Sequence, residues 1–178
     1  MEQVAVLAIT KNGISTGLRL LESFPDWHLY APDKFRDAVQ VKDRIRWYSE
    51  STSSRIAALF AQNEGLICLF SLGATIRLVA PHMKSKKTDP AVIVIDEAAS
   101  FVISVLSGHI GGANSLAESI AAMLGAQPVI TTAADVKKTI AVDMVGRSLG
   151  WVIEDDSAVT TVSALMVNEE KIGVYQDA

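Results

Sequence analysis

The chain has 178 residues, 49% of them hydrophobic and 20% charged, with a formal net charge of -4 at pH 7. That balance belongs to a folded globular protein rather than a disordered one, and its acidic sign excludes wholesale electrostatic binding of nucleic acid. No apolar run approaches the ~20 residues needed to cross a bilayer, and a single cysteine, Cys68, excludes an intrachain disulfide and fits a reducing, cytoplasmic compartment.

Short apolar runs alternate with longer amphipathic segments, the pattern of a parallel sheet with crossover helices. Residues 4–9 read as a first strand rather than a signal peptide, because no basic segment precedes them. A helix from about Ile14 places Ile14, Leu18 and Leu21 on one face. Residues 27–30 form a second strand, stopped by Pro32, and residues 45–48 a short third one. A helix over 53–63 has Ser51, Thr52 and Ser53 as candidate caps and Ile56, Leu59 and Phe60 as its buried stripe. Residues 66–70 are a buried strand in which Cys68 fills the core. A short helix over 73–80 ends at Pro81 and a polar stretch.

Strands over 91–95 and 101–105 are separated by five residues, Asp96-Glu97-Ala98-Ala99-Ser100, which suits an antiparallel hairpin. A helix over 111–124, a strand over 128–130, a helix over 139–149, a strand over 151–153, a helix over 157–166 and a strand over 171–175 continue the alternation. The expected fold is α/β: a doubly wound, mostly parallel sheet with helices on both faces, Rossmann-like, with one antiparallel hairpin. It is expected to form a single domain over 1–178, with a partial division near Asp135 as the alternative.

Chemistry concentrates in Ser107-Gly108-His109-Ile110-Gly111-Gly112-Ala113-Asn114, between a strand and an alanine-rich helix, and in Thr131-Thr132-Ala133-Ala134-Asp135 after the next strand. On consecutive strand ends these segments would face one another across the crevice where open α/β sheets bind ligands. The glycines let backbone N–H groups approach a ligand, and a helix start favours an anion. His109 serves as a general base if a partner fixes its tautomer; the alternative is a histidine that only hydrogen-bonds the loop. Asn114 either orients a carbonyl or caps the helix. Ser107 lacks the flanking glycines of a nucleophile elbow.

Thr131, Thr132 and Asp135 either cap the following helix or position water or a ligand carboxylate beside His109. Arg77, Lys84, Lys86 and Lys87 either decorate a solvated surface or pair with carboxylates or phosphates of a ligand. His28, His82 and His109 lie far apart, and neither CxxC nor HExxH occurs, so no metal site is expected. One glycine, Gly13, follows the first strand where a dinucleotide fingerprint needs three, and no Walker A motif occurs.

The runs Gly73-Ala74-Thr75-Ile76-Arg77, Lys87-Thr88-Asp89-Pro90-Ala91-Val92, Ser107-Gly108-His109 through Asn114, and Pro128-Val129-Ile130-Thr131-Thr132-Ala133 through Asp135 occur in that order. Together they resemble the CbiG family, the cobalt-precorrin-5A hydrolases of anaerobic cobalamin biosynthesis. The resemblance covers an N-terminal region of about 1–134 and a central region of about 135–178, where Lys171-Ile172-Gly173-Val174-Tyr175 matches more weakly. Ala134 departs from the family, which often has threonine there. The family usually carries a further C-terminal domain, which is expected to be absent from this chain.

The resemblance implies opening of the δ-lactone of cobalt-precorrin-5A with release of acetaldehyde, to give cobalt-precorrin-5B. Cobalt travels in the substrate, so no resident cofactor or metal is expected. Arg77, Lys87, Ser107, Gly108, Gly111, Gly112, Asn114 and Thr131 are candidates to hold the polycarboxylate substrate. From the chemistry of lactone hydrolysis, His109 is the candidate base and the N–H groups of Gly111 and Gly112, with Asn114, are candidate oxyanion donors. Thr132 and Asp135 would orient the histidine or the water. Expected partners are the cobalt-precorrin, other cobalamin-pathway enzymes or a separate C-terminal-domain protein, and a second copy in a homodimer; no nucleic acid or membrane is expected. The alternatives are a corrinoid-binding or partner-docking fragment without catalysis, and a Rossmann-like protein for a phosphate ligand.

Overall fold

A computed structural model describes residues 1, 3–41, 43–137, 141–146 and 149–175. The chain divides into two compact units, Met1–Val129 and Ile130–Ala178.

The first unit holds strands β1 (Val4–Ala8), β2 (His28–Pro32), β3 (Ile45–Tyr48), β4 (Gly65–Leu69), β5 (Ala91–Ile95), β6 (Phe101–Leu106) and β7 (Gln127–Val129). Its helices are α1 (Lys11–Ser23), α2 (Thr52–Gln62), α3 (Leu72–Val79) and α4 (Ala113–Leu124). The strands make one sheet in the order β3-β2-β1-β4-β5-β6-β7. Every neighbouring pair is parallel except β5 with β6.

The central strands β1, β4 and β5 are buried along their whole lengths. That is why they read as unbroken apolar runs and not as alternations: helices cover both faces. Val4, Val6, Ile67 and Ile93 pack on one face with Ile14 and Leu20 of α1 and Ala117 and Ile120 of α4. Ala5, Leu7, Leu66 and Val92 pack on the other with Ile56 and Leu59 of α2 and Val79 of α3. The result is a doubly wound α/β fold. Helix α1 starts three residues before Ile14, because the Thr10 hydroxyl accepts the Gly13 N–H at 3.0 Å and caps it.

The β5–β6 connection is the predicted hairpin. The Asp96 carboxylate accepts the N–H groups of Ala98 (3.3 Å) and Phe101 (2.6 Å), and Ala99 takes a left-handed φ of 52°. This reversal governs where the candidate site lies. β6 and β7 run opposite to β1–β5, so the chain leaving β6 emerges at the rim where β1, β4 and β5 begin.

Cys68 lies in β4 with no exposed surface, and burial pushes its thiol up to about 12 despite a hydrogen bond with Thr75. The expected outcome is no reaction with iodoacetamide at pH 8 in the folded protein and full alkylation in denaturant. Labelling of the native chain, read by mass spectrometry, would contradict the core role.

The second unit contains α5 (Ala133–Lys137), a 3-10 turn at Val142–Met144 and α6 (Val159–Val167). Here the sequence expectations need correction. The helix expected over 139–149 is, where described, that 3-10 turn and a further 3-10 residue, Leu149; residues 139, 140, 147 and 148 lie outside the described residues. Gly146 and Gly150, with φ of 71° and 77°, interrupt a helical path there. The described segments 151–153 and 171–175 are not strands, while α5 had not been expected. An apolar run becomes a strand only when a neighbour satisfies its backbone groups, and these runs stay exposed, with Trp151 at 53% and Val174 at 91%. No described residue after Val129 is fully buried.

Candidate functional site

The turn from β6 into α4 closes on itself. Ser107 takes a left-handed φ of 58° and its hydroxyl donates to the Asp89 carbonyl at 2.8 Å. The Ser107 carbonyl accepts the Ala113 N–H (3.1 Å), the Gly108 carbonyl accepts the Asn114 N–H (3.0 Å), and the His109 carbonyl accepts the Gly112 N–H (2.9 Å). Gly112 caps the helix with φ of 79°. A Cβ on Gly111 would sit 2.4 Å from the Ser107 Cβ. The sequence Gly-His-Ile-Gly-Gly is therefore what a turn this tight needs, and His109 sits half-buried in its bend.

Asn114 is buried at 7% exposure, and its side-chain oxygen accepts the Ser104 hydroxyl at 2.6 Å. A Cβ on Gly108 would lie 2.7 Å from that oxygen. Asn114 thus ties α4 to β6. One bond revises the expected donor set: the Gly112 N–H holds the turn together rather than facing an oxyanion. The Ala113 and Asn114 N–H groups at the helix start are likewise taken by carbonyls of the same loop, where an anion had been expected.

Segment 84–90 leads into β5 at the same rim. The Asp89 carboxylate accepts the N–H groups of Lys84 (3.0 Å) and Ser85 (3.1 Å), and the Ser85 hydroxyl accepts the Lys87 N–H (3.2 Å). Lys87 therefore lies on a compact loop bonded, through Asp89, to Ser107. An open depression of about 480 Å³ runs beside it, lined by Thr88, Asp89, Pro90, Ile110, Gly111 and Gly112 among others. Arg77 is elsewhere. Helix α3 starts where β4 ends, at the opposite rim, and Arg77 donates back to the Gly73 carbonyl at 3.2 Å, in the first turn of that helix. The structure ties the loop that carries Lys87 to the His109 turn and leaves Arg77 at the other rim.

Thr131, Thr132 and Asp135 belong to the second unit. The Thr132 carbonyl accepts the Val136 N–H at 3.0 Å, and Asp135 is an exposed residue in the first turn of α5. Sequence reasoning missed Asp89 and Ser104, the two anchors of the turn. The available signal for Asp89 was an aspartate directly before Pro90, a pairing that favours side-chain-to-backbone turns. Among the described residues, no group of three or more His, Cys, Asp or Glu side chains is placed to hold a metal.

The family described as "Cobalamin synthesis G N-terminal" matches residues 54–135, and "Cobalamin biosynthesis central region" matches residues 140–178. The chain is 49% identical over 174 residues to a "Cobalt-precorrin-5A hydrolase" from Priestia megaterium, covering 98% of this chain and 46% of the relative. It is 35% identical over 178 residues to a protein of the same name from Salmonella typhimurium, covering 99% and 49%. Among solved structures, a cobalamin biosynthesis protein G homolog from Sulfolobus solfataricus matches with a TM-score of 0.55 at 19% identity, over 99% of this chain and 51% of that one. That likeness speaks to the fold. The chain spans about half the length of these curated relatives.

Proposed function

The chain belongs to the CbiG family, and from that premise we propose that it binds cobalt-precorrin-5A and takes part in hydrolysing its δ-lactone, with acetaldehyde as the released product. One observation carries the reading: the match to relatives named for this reaction runs over 98% and 99% of the chain, at 49% and 35% identity.

In the proposed reaction, His109 takes a proton from water as the water adds to the lactone carbonyl. The lactone acyl C–O bond breaks and the proton returns to the departing oxygen, leaving a carboxylate and a carbinol; the carbinol O–H then loses its proton, its C–C bond to the macrocycle breaks with the electron pair and a proton taken up by the ring, and the two-carbon unit leaves as acetaldehyde, giving cobalt-precorrin-5B. Lys87 would pair with a peripheral carboxylate of the substrate. Cobalt stays inside the macrocycle, and the hydrolysis as written calls on no cofactor of the protein's own. We place the protein in the cytoplasm; its free thiol supports that, and no helix among the described residues is long and apolar enough to cross a membrane.

A second reading is favoured by the share of the relatives that the chain represents, 46% and 49%. In it this chain binds the macrocycle, and catalysis draws on the part of the relatives that the chain does not span. Incubating the purified chain with cobalt-precorrin-5A and assaying acetaldehyde separates the two. Release of acetaldehyde is the expected result. A shifted corrinoid spectrum without acetaldehyde would favour the binding role, and neither signal would overturn the substrate assignment.

A further inference from the structure

A second depression borders the same rim. Helix α2 ends at Gln62, just before β4 begins, so its last turn lies near the edge that carries the His109 turn. The 3-10 turn Ala80–His82 and the 84–90 loop close over it, leaving a cavity of about 530 Å³ lined by Phe60, Pro81, His82, Met83, Lys84 and Pro90 among others. The rings of Phe60 and His82 stand 6.2 Å apart at 45°, and Met83 is 48% exposed. The two depressions share Thr88, Asp89 and Pro90, so the 84–90 loop is the ridge between them.

We propose that this cavity is a subsite for the edge of a polycarboxylated tetrapyrrole, with Lys84 and Lys86 on the ridge pairing with its peripheral carboxylates and Met83 and Phe60 meeting its apolar face. The proposal rests on the substrate reading above and deepens it. Charge complementarity carries it. Among the described residues, neither Lys84 nor Lys86 has a carboxylate within ion-pair distance, and both are exposed. The one acid of the loop, Asp89, turns its carboxylate onto the N–H groups of Lys84 and Ser85 and its carbonyl onto Ser107.

The loop is thus ordered before a ligand arrives, which lowers the entropic cost of binding. Spaced ammonium groups beside an aromatic and thioether wall suit a flat ligand, apolar in its plane and anionic at its perimeter. A compact phosphate ester would draw instead on backbone N–H groups, and those of Gly112, Ala113 and Asn114 at the β6–α4 turn are engaged.

The test is fluorescence titration of uroporphyrin III, an octacarboxylate macrocycle, against the full chain. Three variants are compared with wild type: the double variant Lys84→Glu/Lys86→Glu, the single variant Met83→Glu, and Lys11→Glu/Arg19→Glu on α1 as a control of equal charge change. The first two are expected to bind about ten-fold more weakly than the control at low salt, with the difference shrinking as salt rises. Denaturant melts identify any loss of folding. Equal affinity of Lys84→Glu/Lys86→Glu and the control would overturn the subsite while leaving the substrate reading intact. Wild-type chain that releases acetaldehyde from cobalt-precorrin-5A but does not bind uroporphyrin would overturn it too. A wild-type chain that neither binds nor reacts would sink the substrate reading itself.

Discussion

Replacing His109 with alanine is expected to slow acetaldehyde release by about 10²–10⁴-fold, the usual contribution of a positioned general base. Corrinoid affinity should change little, and added imidazole should restore part of the rate. The expectation has a structural basis. The backbone bonds of the turn, from Gly112 to His109, from Ala113 to Ser107 and from Asn114 to Gly108, run between main-chain atoms and do not call on the imidazole ring. Its anchors, Ser107 on Asp89 and Ser104 on Asn114, lie outside His109 as well. Loss of activity with an unchanged circular dichroism spectrum and melting temperature would report chemistry rather than folding. An unchanged rate would remove His109 from the mechanism.

Gly111→Ala is expected to be the most damaging small substitution in the turn. The new methyl would stand 2.4 Å from the Ser107 Cβ and 2.7 Å from the Ser107 carbonyl oxygen. Neither atom can swing away, since the Ser107 carbonyl is held by the Ala113 N–H and its hydroxyl by Asp89. Overpacking of this kind costs about 3 kcal/mol or more, which lowers the melting temperature by roughly 6–12 °C in a protein of this size. Gly125→Ala is the comparison. That residue ends α4 with φ of 69° but has nothing within 4 Å of the new carbon, so only the left-handed strain of about 1–2 kcal/mol applies. Equal melting temperatures for the two variants would refute the close-approach account of Gly111.

Much of the first unit was legible. The edges of β3 and β5 coincide with the sequence reading: β5 is an apolar run between Pro90 and Asp96, and β3 sets strand-forming Ile45, Trp47 and Tyr48 around Arg46. The hairpin was legible too, in the polar break between Ile95 and Phe101. Its consequence was missed. Placing Arg77 with the His109 turn assumed that all strand ends point one way, as in a wholly parallel sheet. A single antiparallel step at β6 sends the loop after it to the other rim, beside the 84–90 loop and away from Arg77.

The second unit was least legible. Trp151-Val152-Ile153 and Ile172-Gly173-Val174-Tyr175 have strand composition, yet the described residues show no ladder there. Composition reports a preference for pairing and carries no information on whether a neighbour is present.

The order of apolar runs in this sequence was enough to determine a doubly wound sheet, because burial on both faces writes itself into every position of β1, β4 and β5. The glycines of the His109 turn were likewise determined locally, by how closely the chain must approach itself. Only the tertiary structure decided which cations share a rim with that turn and which N–H groups are already engaged. Those facts depend on strand direction and on contacts between residues such as Ser107 and Asp89, brought together by the sheet from distant parts of the chain.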